Sequence, residues 1–305
     1  MAIALATALC AGVADAQTTT PVRLDEEPAS ARTLALGGRA EATASSTASL
    51  YANPASILGA RGYHTDVFGL YDPTTGRYLF GSALTDSTRQ YVAAGLGYFY
   101  SGVGLGTGSR SLHDTRINVT VAFTPNIGVG LVGKYLNGTG GPPLLNGSTL
   151  HRPDTDGADP AGAWAGFTFD AGVFVRPAQI LTLTVSGHNL TDPQTTIAPI
   201  QMGAGIALQP ASILTIVADA LLDFRQVGQV RGRYSGGVEL FLGNHFPIRA
   251  GYAFDHLRFS HAITAGVGYM DDNFGVEFGI RQAVAPDPET TMMLSVRYFY
   301  RGATQ

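Results

Sequence analysis

The chain has 305 residues, of which 45% are hydrophobic and only 14% charged, with 39 glycines and a formal net charge of −4. Charge this sparse and glycine this frequent are unlike a typical soluble enzyme, in which about a quarter of residues are charged and about 7% are glycine. With no basic excess there is no electrostatic footprint for nucleic acid, and that class of partner is excluded.

The first residues, Met1 to Val13, form an apolar run that ends in Ala14-Asp15-Ala16. Its length and small-residue ending predict an export signal over 1–16, cleaved after Ala16, although the Lys or Arg that opens such signals is absent. The competing reading is a buried N-terminal helix; the run is too short to cross a bilayer. Cys10, the single cysteine, falls inside this segment, so the mature chain is expected to have neither a disulfide nor a Cys-ligated metal. Leu9 before it argues against lipid attachment, which needs a small residue there.

Residues 17–60 are rich in Ala, Ser and Thr and show little alternation. A short helix is predicted from Ala42 to Tyr51, and Asn53-Pro54 reads as an N-cap followed by Pro at the first position of another helical turn. Such a segment fits a plug inside a barrel, or a disordered leader.

From Tyr63 to Tyr300 the chain is a series of segments of about ten residues in which apolar side chains alternate with small or polar ones, the period of a β-strand. Phe274, Val276, Phe278 and Ile280 alternate with Gly275, Glu277, Gly279 and Arg281; Leu294, Val296, Tyr298 and Tyr300 alternate with Ser295, Arg297 and Phe299. In a soluble sandwich the wet face carries Lys, Glu and Thr. Here the second face is mostly Gly, Ala, Ser and Thr with scattered charges of both signs, namely Lys134, Asp170, Asp219, Glu239, Arg249, Glu277, Arg281 and Arg297. That is the pattern of a membrane barrel, with an apolar face toward lipid and an internally paired lumen. No segment offers the roughly 20 apolar residues of a membrane helix, so any crossing must be made by a closed barrel.

Tight connections at Thr124–Ile127, Arg176–Gln179, Gln209–Ser212, Gly243–His245 and Asp271–Asn273 alternate with longer ones near 138–163, 189–198, 223–231 and 283–289. The count comes to about fourteen strands, an even number as expected of such barrels. Aromatics gather near strand ends, as in Tyr98-Phe99-Tyr100 and Tyr298-Phe299-Tyr300, where interfacial girdles form. The predicted fold class is thus all-β: a transmembrane antiparallel barrel over 61–305 with an N-terminal plug, lying in outer-membrane lipid.

Leu34-Ala35-Leu36-Gly37-Gly38, followed by Ala48-Ser49-Leu50-Tyr51-Ala52-Asn53-Pro54-Ala55 and Ile57-Leu58, resembles the plug-region signature of the FadL superfamily of outer-membrane proteins. His188-Asn189-Leu190 and the terminal strand Met293–Tyr300 resemble its shorter PorV/PorQ-like branches. The resemblance implies a fourteen-stranded barrel with a hatch, which in the hydrocarbon transporters passes hydrophobic small molecules, with no cofactor. It implies as well that Leu36, Gly37, Gly38, Tyr51, Asn53, Pro54 and Ala55 belong to the plug. In those transporters a kink in the third strand opens a lateral route. Gly95 and Gly97 in the third segment could permit one, or could simply thin the lumen wall. The chain departs from the hydrocarbon transporters in being shorter and in running past its terminal aromatic to Gln305.

Two further constellations carry weaker signals. Ser260 and His261 are neighbours on a strand and so point to opposite faces, which argues against a catalytic pair. Asp154, Asp156 and Asp159, beside His151, resemble the start of a calcium loop but lack the downstream Glu, and an acidic solvated loop is the favoured reading. The leading functional expectation is a passive channel for small hydrophobic solutes gated by the plug. The alternative is a PorV-like anchor or shuttle bound to secretion-system proteins; a soluble periplasmic protein is disfavoured by the scarcity of Lys. The alternation predicts recovery in the outer membrane with heat-modifiable gel migration. Recovery as a soluble periplasmic protein would contradict it.

Overall fold

A strand leaves its backbone donors and acceptors unsatisfied at any open sheet edge, and in lipid no water can supply partners. The computed structural model describes residues 30–39, 41–43, 45–103, 110–139, 150–151, 163–193, 198–224, 230–256, 259–286 and 288–300. The expected signal over 1–16, residues 17–29, and Asp154, Asp156 and Asp159 lie outside the described residues.

A short helix α1 (Ala31–Ala35) and two 3₁₀ turns, Ser46–Leu50 and Pro54–Gly59, precede the strands. The strands are β1 (Tyr63–Asp72), β2 (Arg77–Asp86), β3 (Val92–Val103), β4 (Arg110–Thr124) and β5 (Ile127–Thr139), then β6 (Leu150–His151) and β7 (Ala163–Ala178). They continue as β8 (Leu181–His188), β9 (Gln201–Ala211), β10 (Leu214–Asp223), β11 (Arg231–Leu242) and β12 (Phe246–Asp255). The last are β13 (Ser260–Met270), β14 (Phe274–Ala285) and β15 (Glu289–Tyr300). β6 is a two-residue ladder on β7 within the longest connection. The other fourteen form a closed antiparallel barrel in which each strand pairs with the next, β5 with β7, and β1 with β15 from Tyr63↔Tyr300 to Tyr71↔Met292.

Alternation sorts the side chains as a lipid-facing barrel requires. Phe80, Ile117, Phe123 and Phe167 are 60% or more exposed, whereas their strand neighbours Leu79, Arg116, Ala122 and Thr168 are buried. Exposed aromatics mark both rims: Tyr91, Phe123, Phe246 and Tyr300 at one end, Tyr71, Phe224, Tyr234 and Phe259 at the other. Ser260 is buried while His261 lies on the exposed side against the Tyr252 hydroxyl, on opposite faces of β13.

One expectation is corrected. The helix predicted over Ala42–Tyr51 is only the 3₁₀ turn Ser46–Leu50, because Ser46 has a φ of 59°, outside the right-handed helical region. Of the two roles left open for Gly95 and Gly97, a kink or a thinned lumen wall, the ladder carries no mark of the first: β3 pairs without a break with β2, from Asp86↔Ala94 to Arg77↔Val103, and with β4, from Val92↔Val121 to Val103↔Arg110. A strand bends out of its sheet by shifting register, and the shifts fall elsewhere. Three lie near tight turns, at Ala122/Thr124, Val175/Ala178 and Leu214/Ile216, and one near the opposite rim at His261/Ala262.

The interior is filled by residues 30–39, 41–43 and 45–60. The Ala31 amide donates to Ser295 on β15, Arg116 on β4 and Thr264 on β13 donate to the Leu50 and Ala35 carbonyls, and Asn53 donates to carbonyls of β7 and β8. Contacts from all round the ring place this segment in the lumen. Its conformation is set by local rules: the Ser30 hydroxyl caps α1 by accepting from the Thr33 amide, and Gly37 and Gly38, at φ 106° and 85°, turn the chain as residues with a Cβ rarely can.

The connections 125–126, 179–180, 212–213, 243–245 and 271–273 share one end with the β15 terminus, and the long connections 140–162 and 189–200 share the other. Outer-membrane barrels keep short turns on the periplasmic side. A tag inserted between Gly147 and Gly157 should therefore be labelled on intact cells, and one between Gln209 and Ser212 only after permeabilisation. The inverse pattern would reverse the orientation.

Candidate solute path through the barrel

The lumen has walls of two chemistries. Toward the long-connection end, Phe68 and Leu70 on β1, Leu79 and Ala83 on β2, Phe99 on β3, Leu112 on β4 and Leu136 on β5 make an apolar lining, joined by Trp164 and Met293. Ala31, Leu34, Leu50 and Tyr51 of the lumen segment pack against it. Leu36 and Ala42 seat separately with Ala207 and Val217, and Ile57 and Leu58 with Ala93 and Ala122. Gly95 and Gly97 thin the wall at the apolar contact: a Cβ at Gly95 would lie 3.2 Å from the Leu50 side chain, and one at Gly97 2.8 Å from the Tyr51 hydroxyl.

Polar networks carry the rest. Of the charges predicted for the second face, Lys134, Asp170, Asp219, Glu239, Arg249, Glu277 and Arg297 are buried in the lumen, and Arg281 lines a lumen cavity. In one network Lys134 pairs with Asp170 at 2.9 Å, His188 Nδ1 lies 3.2 Å from Asp170 and its Nε2 3.4 Å from Glu41, and Ser186 donates to Glu41 at 2.7 Å. In the other, Arg32 donates twice to Glu239 at 2.8 Å, Arg249 bridges Glu239 and Glu277, and Arg297 joins Glu277 to Asp66. Asp219 accepts from the Ala42 amide at 3.3 Å. Each network thus reaches from the wall to a residue of the lumen segment, Glu41 in one and Arg32 in the other. Burial alone would raise the Glu41 carboxyl, but the hydrogen bond and charge of His188, helped by Arg39 and Ser186, hold it below the ordinary range.

Ser186, His188 and Asp170 stand at triad distances, with Ser186 Oγ 3.0 Å from His188 Nε2. Their protons run the wrong way for catalysis. The Ser186 hydroxyl donates its hydrogen bond to Glu41 and so not to His188, and the bond through which a histidine base would draw the proton from a serine nucleophile is not made. The group fastens the lumen segment. Among the described residues no group of three or more His, Cys, Asp or Glu is placed to hold a metal ion.

Three cavities flank the segment. One of about 510 Å³ opens among the short turns and is lined by Thr43, Ser56, Gln179, Gln209 and Thr215. Two smaller ones, of about 60 and 50 Å³, lie toward the other end; the latter is bounded by Tyr51, Leu112, Arg116 and Leu136. The lumen segment lies between the cavities of the two ends.

Of the plug residues read from the sequence, Leu36 lies under β11 and β12, where a Cβ on Gly237 or Gly251 would meet it. The Asn53 side chain accepts from the Ala55 amide at 2.9 Å and donates to the Val173 and Val185 carbonyls at 3.0 and 3.1 Å; Pro54 accepts through its carbonyl from Thr120. Sequence reading missed Arg32, Glu41, Asp66, Arg116 and His188. Asp114/Arg116 and Ser186/His188 carry a signal, polar residues two apart on one strand face; Arg32 and Glu41 sit in irregular chain and carry none.

No protein-family model matches the chain, and no curated protein matches it. Solved structures do. The CymD monoaromatic hydrocarbon channel superposes with a TM-score of 0.69 at 13% identity, covering 90% of this chain and 98% of its own. The Ralstonia pickettii toluene transporter TbuX gives 0.64 at 14% identity, covering 91% and 99%. A Pseudomonas aeruginosa FadL homologue gives 0.59 at 12% identity, covering 83% and 94%. The chain therefore has the fold of a FadL-type barrel.

Replacing Asn53 by Ala removes a cap worth about 1 kcal/mol and two wall bonds worth about 0.5–1.5 kcal/mol each, loosening the segment by roughly 2–4 kcal/mol. The expected result is faster proteolysis within residues 41–60 of an otherwise heat-modifiable barrel. Unchanged cleavage would show that Asn53 is no anchor.

Proposed function

We propose that this chain is a bacterial outer-membrane channel for small hydrophobic solutes, closed at rest by residues 30–60 acting as a plug. The observation that carries the reading is the apolar lining on β1–β5, which borders the cavities of the long-connection end and is covered by Leu34, Leu50 and Tyr51. A structural filler needs no such lining, since the ion-paired side of the lumen fastens the segment by itself. The solved barrels of like fold include a monoaromatic hydrocarbon channel and a toluene transporter, which supports the solute class. The apolar outer face and its aromatic rims fit outer-membrane lipid.

Deleting residues 33–58 leaves the ring of strands complete, so the barrel should insert while conducting at least several-fold more current in planar bilayers and passing toluene faster into vesicles. A barrel that inserts normally but shows neither change would remove the plug reading. One that passes no solute in either form, and co-purifies with secretion-system proteins, would favour an anchor role.

A further inference from the structure

The lumen segment meets the wall through opposite partners in two places, Arg32 against Glu239 and Glu41 against His188. A third place breaks that rule. Just past the positive-φ turn at Gly37 and Gly38, Arg39 borders the cavity of about 60 Å³ toward the long-connection end. The strands bring Arg77 from β2, Arg233 from β11 and Arg281 from β14 to the same cavity, where the carboxylates are Asp255 and Glu289. Arg233 is paired with Asp255 at 3.2 Å, and Arg77 stands in register with Asp72 on β1. Even with Asp255 and Glu289 both assigned to Arg233 and Arg77, Arg39 and Arg281 are left over. Among the described residues the Arg281 side chain has no hydrogen bond or ion pair. The ion pair of Arg39 is a 3.8 Å approach to Glu41, whose carboxylate is already engaged by His188 and Ser186.

Two guanidiniums drawn to one cavity away from bulk water repel, and a cation so placed without an anion is costly. Their planar forks of N–H donors match the paired oxygens of an oxyanion. A tetrahedral oxyanion has oxygens enough for two forks at once, whereas chloride offers a single centre. A water takes up roughly 10–15 Å³ of such space, so about 60 Å³ holds a sulfate or phosphate ion and little more. The Ser235 hydroxyl, buried at the same wall with no hydrogen-bond partner among the described residues, is a further donor.

We propose that this cavity is a binding site for a free tetrahedral oxyanion, sulfate or inorganic phosphate, which bridges Arg39 of the lumen segment to Arg281 of the wall. The bound anion is a third fastening of the segment, and the only one of the three that depends on the composition of the medium. Binding stands apart from the channel reading; the effect of the anion on solute flux rests on that reading.

The test titrates the full-length barrel in detergent with sodium sulfate, at an ionic strength held constant with sodium chloride. Binding is read by calorimetry, and the hold on the lumen segment by its rate of cleavage with proteinase K. Sulfate should bind saturably at one site and slow the cleavage several-fold. Arg39→Gln and Arg281→Gln should each weaken binding about tenfold or more through the loss of one charge-assisted fork, while Arg61→Gln, at an exposed arginine of the opposite end, leaves it unchanged. Arg281→Glu places a carboxylate on the wall in the anion's stead; it should bind no sulfate and resist the protease without it as well as the native protein does with it. Chloride acting as well as sulfate, or both glutamine variants binding sulfate as the native protein does, overturns the site. Glycerol 3-phosphate binding as tightly as inorganic phosphate overturns the assignment to a free ion. Toluene entry into vesicles is read with and without sulfate: no entry in either condition alongside intact sulfate binding refutes the channel and leaves the site, whereas entry without sulfate binding refutes the site and leaves the channel.

Discussion

Every feature of this protein depends on the ladder between β1 and β15. Before it forms, two strand edges of unpaired amides and carbonyls face a medium that cannot hydrogen-bond; once Tyr63 to Tyr71 pair with Tyr300 to Met292, no edge remains among the fourteen strands. Closure also fixes which side is inside. Because strand side chains alternate, one choice of register sends Phe80, Ile117 and Phe167 outward and Arg116, Lys134 and Asp170 inward together. A closed ring of this size has more interior than its own side chains fill, and that surplus is what residues 30–60 occupy.

The barrel was legible in the sequence because its signal is repeated. Each strand such as Phe274–Ala285 carries the period, the tight turns carry Pro, Asn and Gly, and errors in one segment do not propagate to the next. The lumen segment was legible only in part. Asn53-Pro54 and Leu36-Gly37-Gly38 show in the sequence because capping and positive φ are local chemistry. The Ser46–Leu50 turn and the anchors Arg32 and Glu41 do not, because their partners come from strands distant in sequence: Asp66 and Arg116 for the turn, Glu239 for Arg32, and Ser186 and His188 for Glu41. Gly95 and Gly97 show the limit of reading glycine alone. The same residue serves a bend or a close approach, and only the register of β2, β3 and β4 tells which.

The division of the interior into an ion-paired side and an apolar side reconciles two demands. A segment held only by hydrophobic contact would slide, since such contacts have no preferred direction. Ion pairs withdrawn from water, such as the partly buried Arg32–Glu239, contribute little net stability but are intolerant of displacement, and so fix position.

The tight fit between the lumen segment and the strands has a consequence for how the sequence can vary. A Cβ at Gly130 would fall 2.5 Å from the backbone of Pro54 and Ala55, and one at Gly279 2.5 Å from the Ala31 carbonyl. The nearest atoms at both positions belong to a chain segment far away in sequence, not to the neighbouring strands. The strands are thus cut to a template that the lumen segment provides. Alanine at either is excluded in the complete protein yet acceptable in a barrel from which the template has been lost, so a lineage that discards the segment would be expected to lose these two glycines afterward.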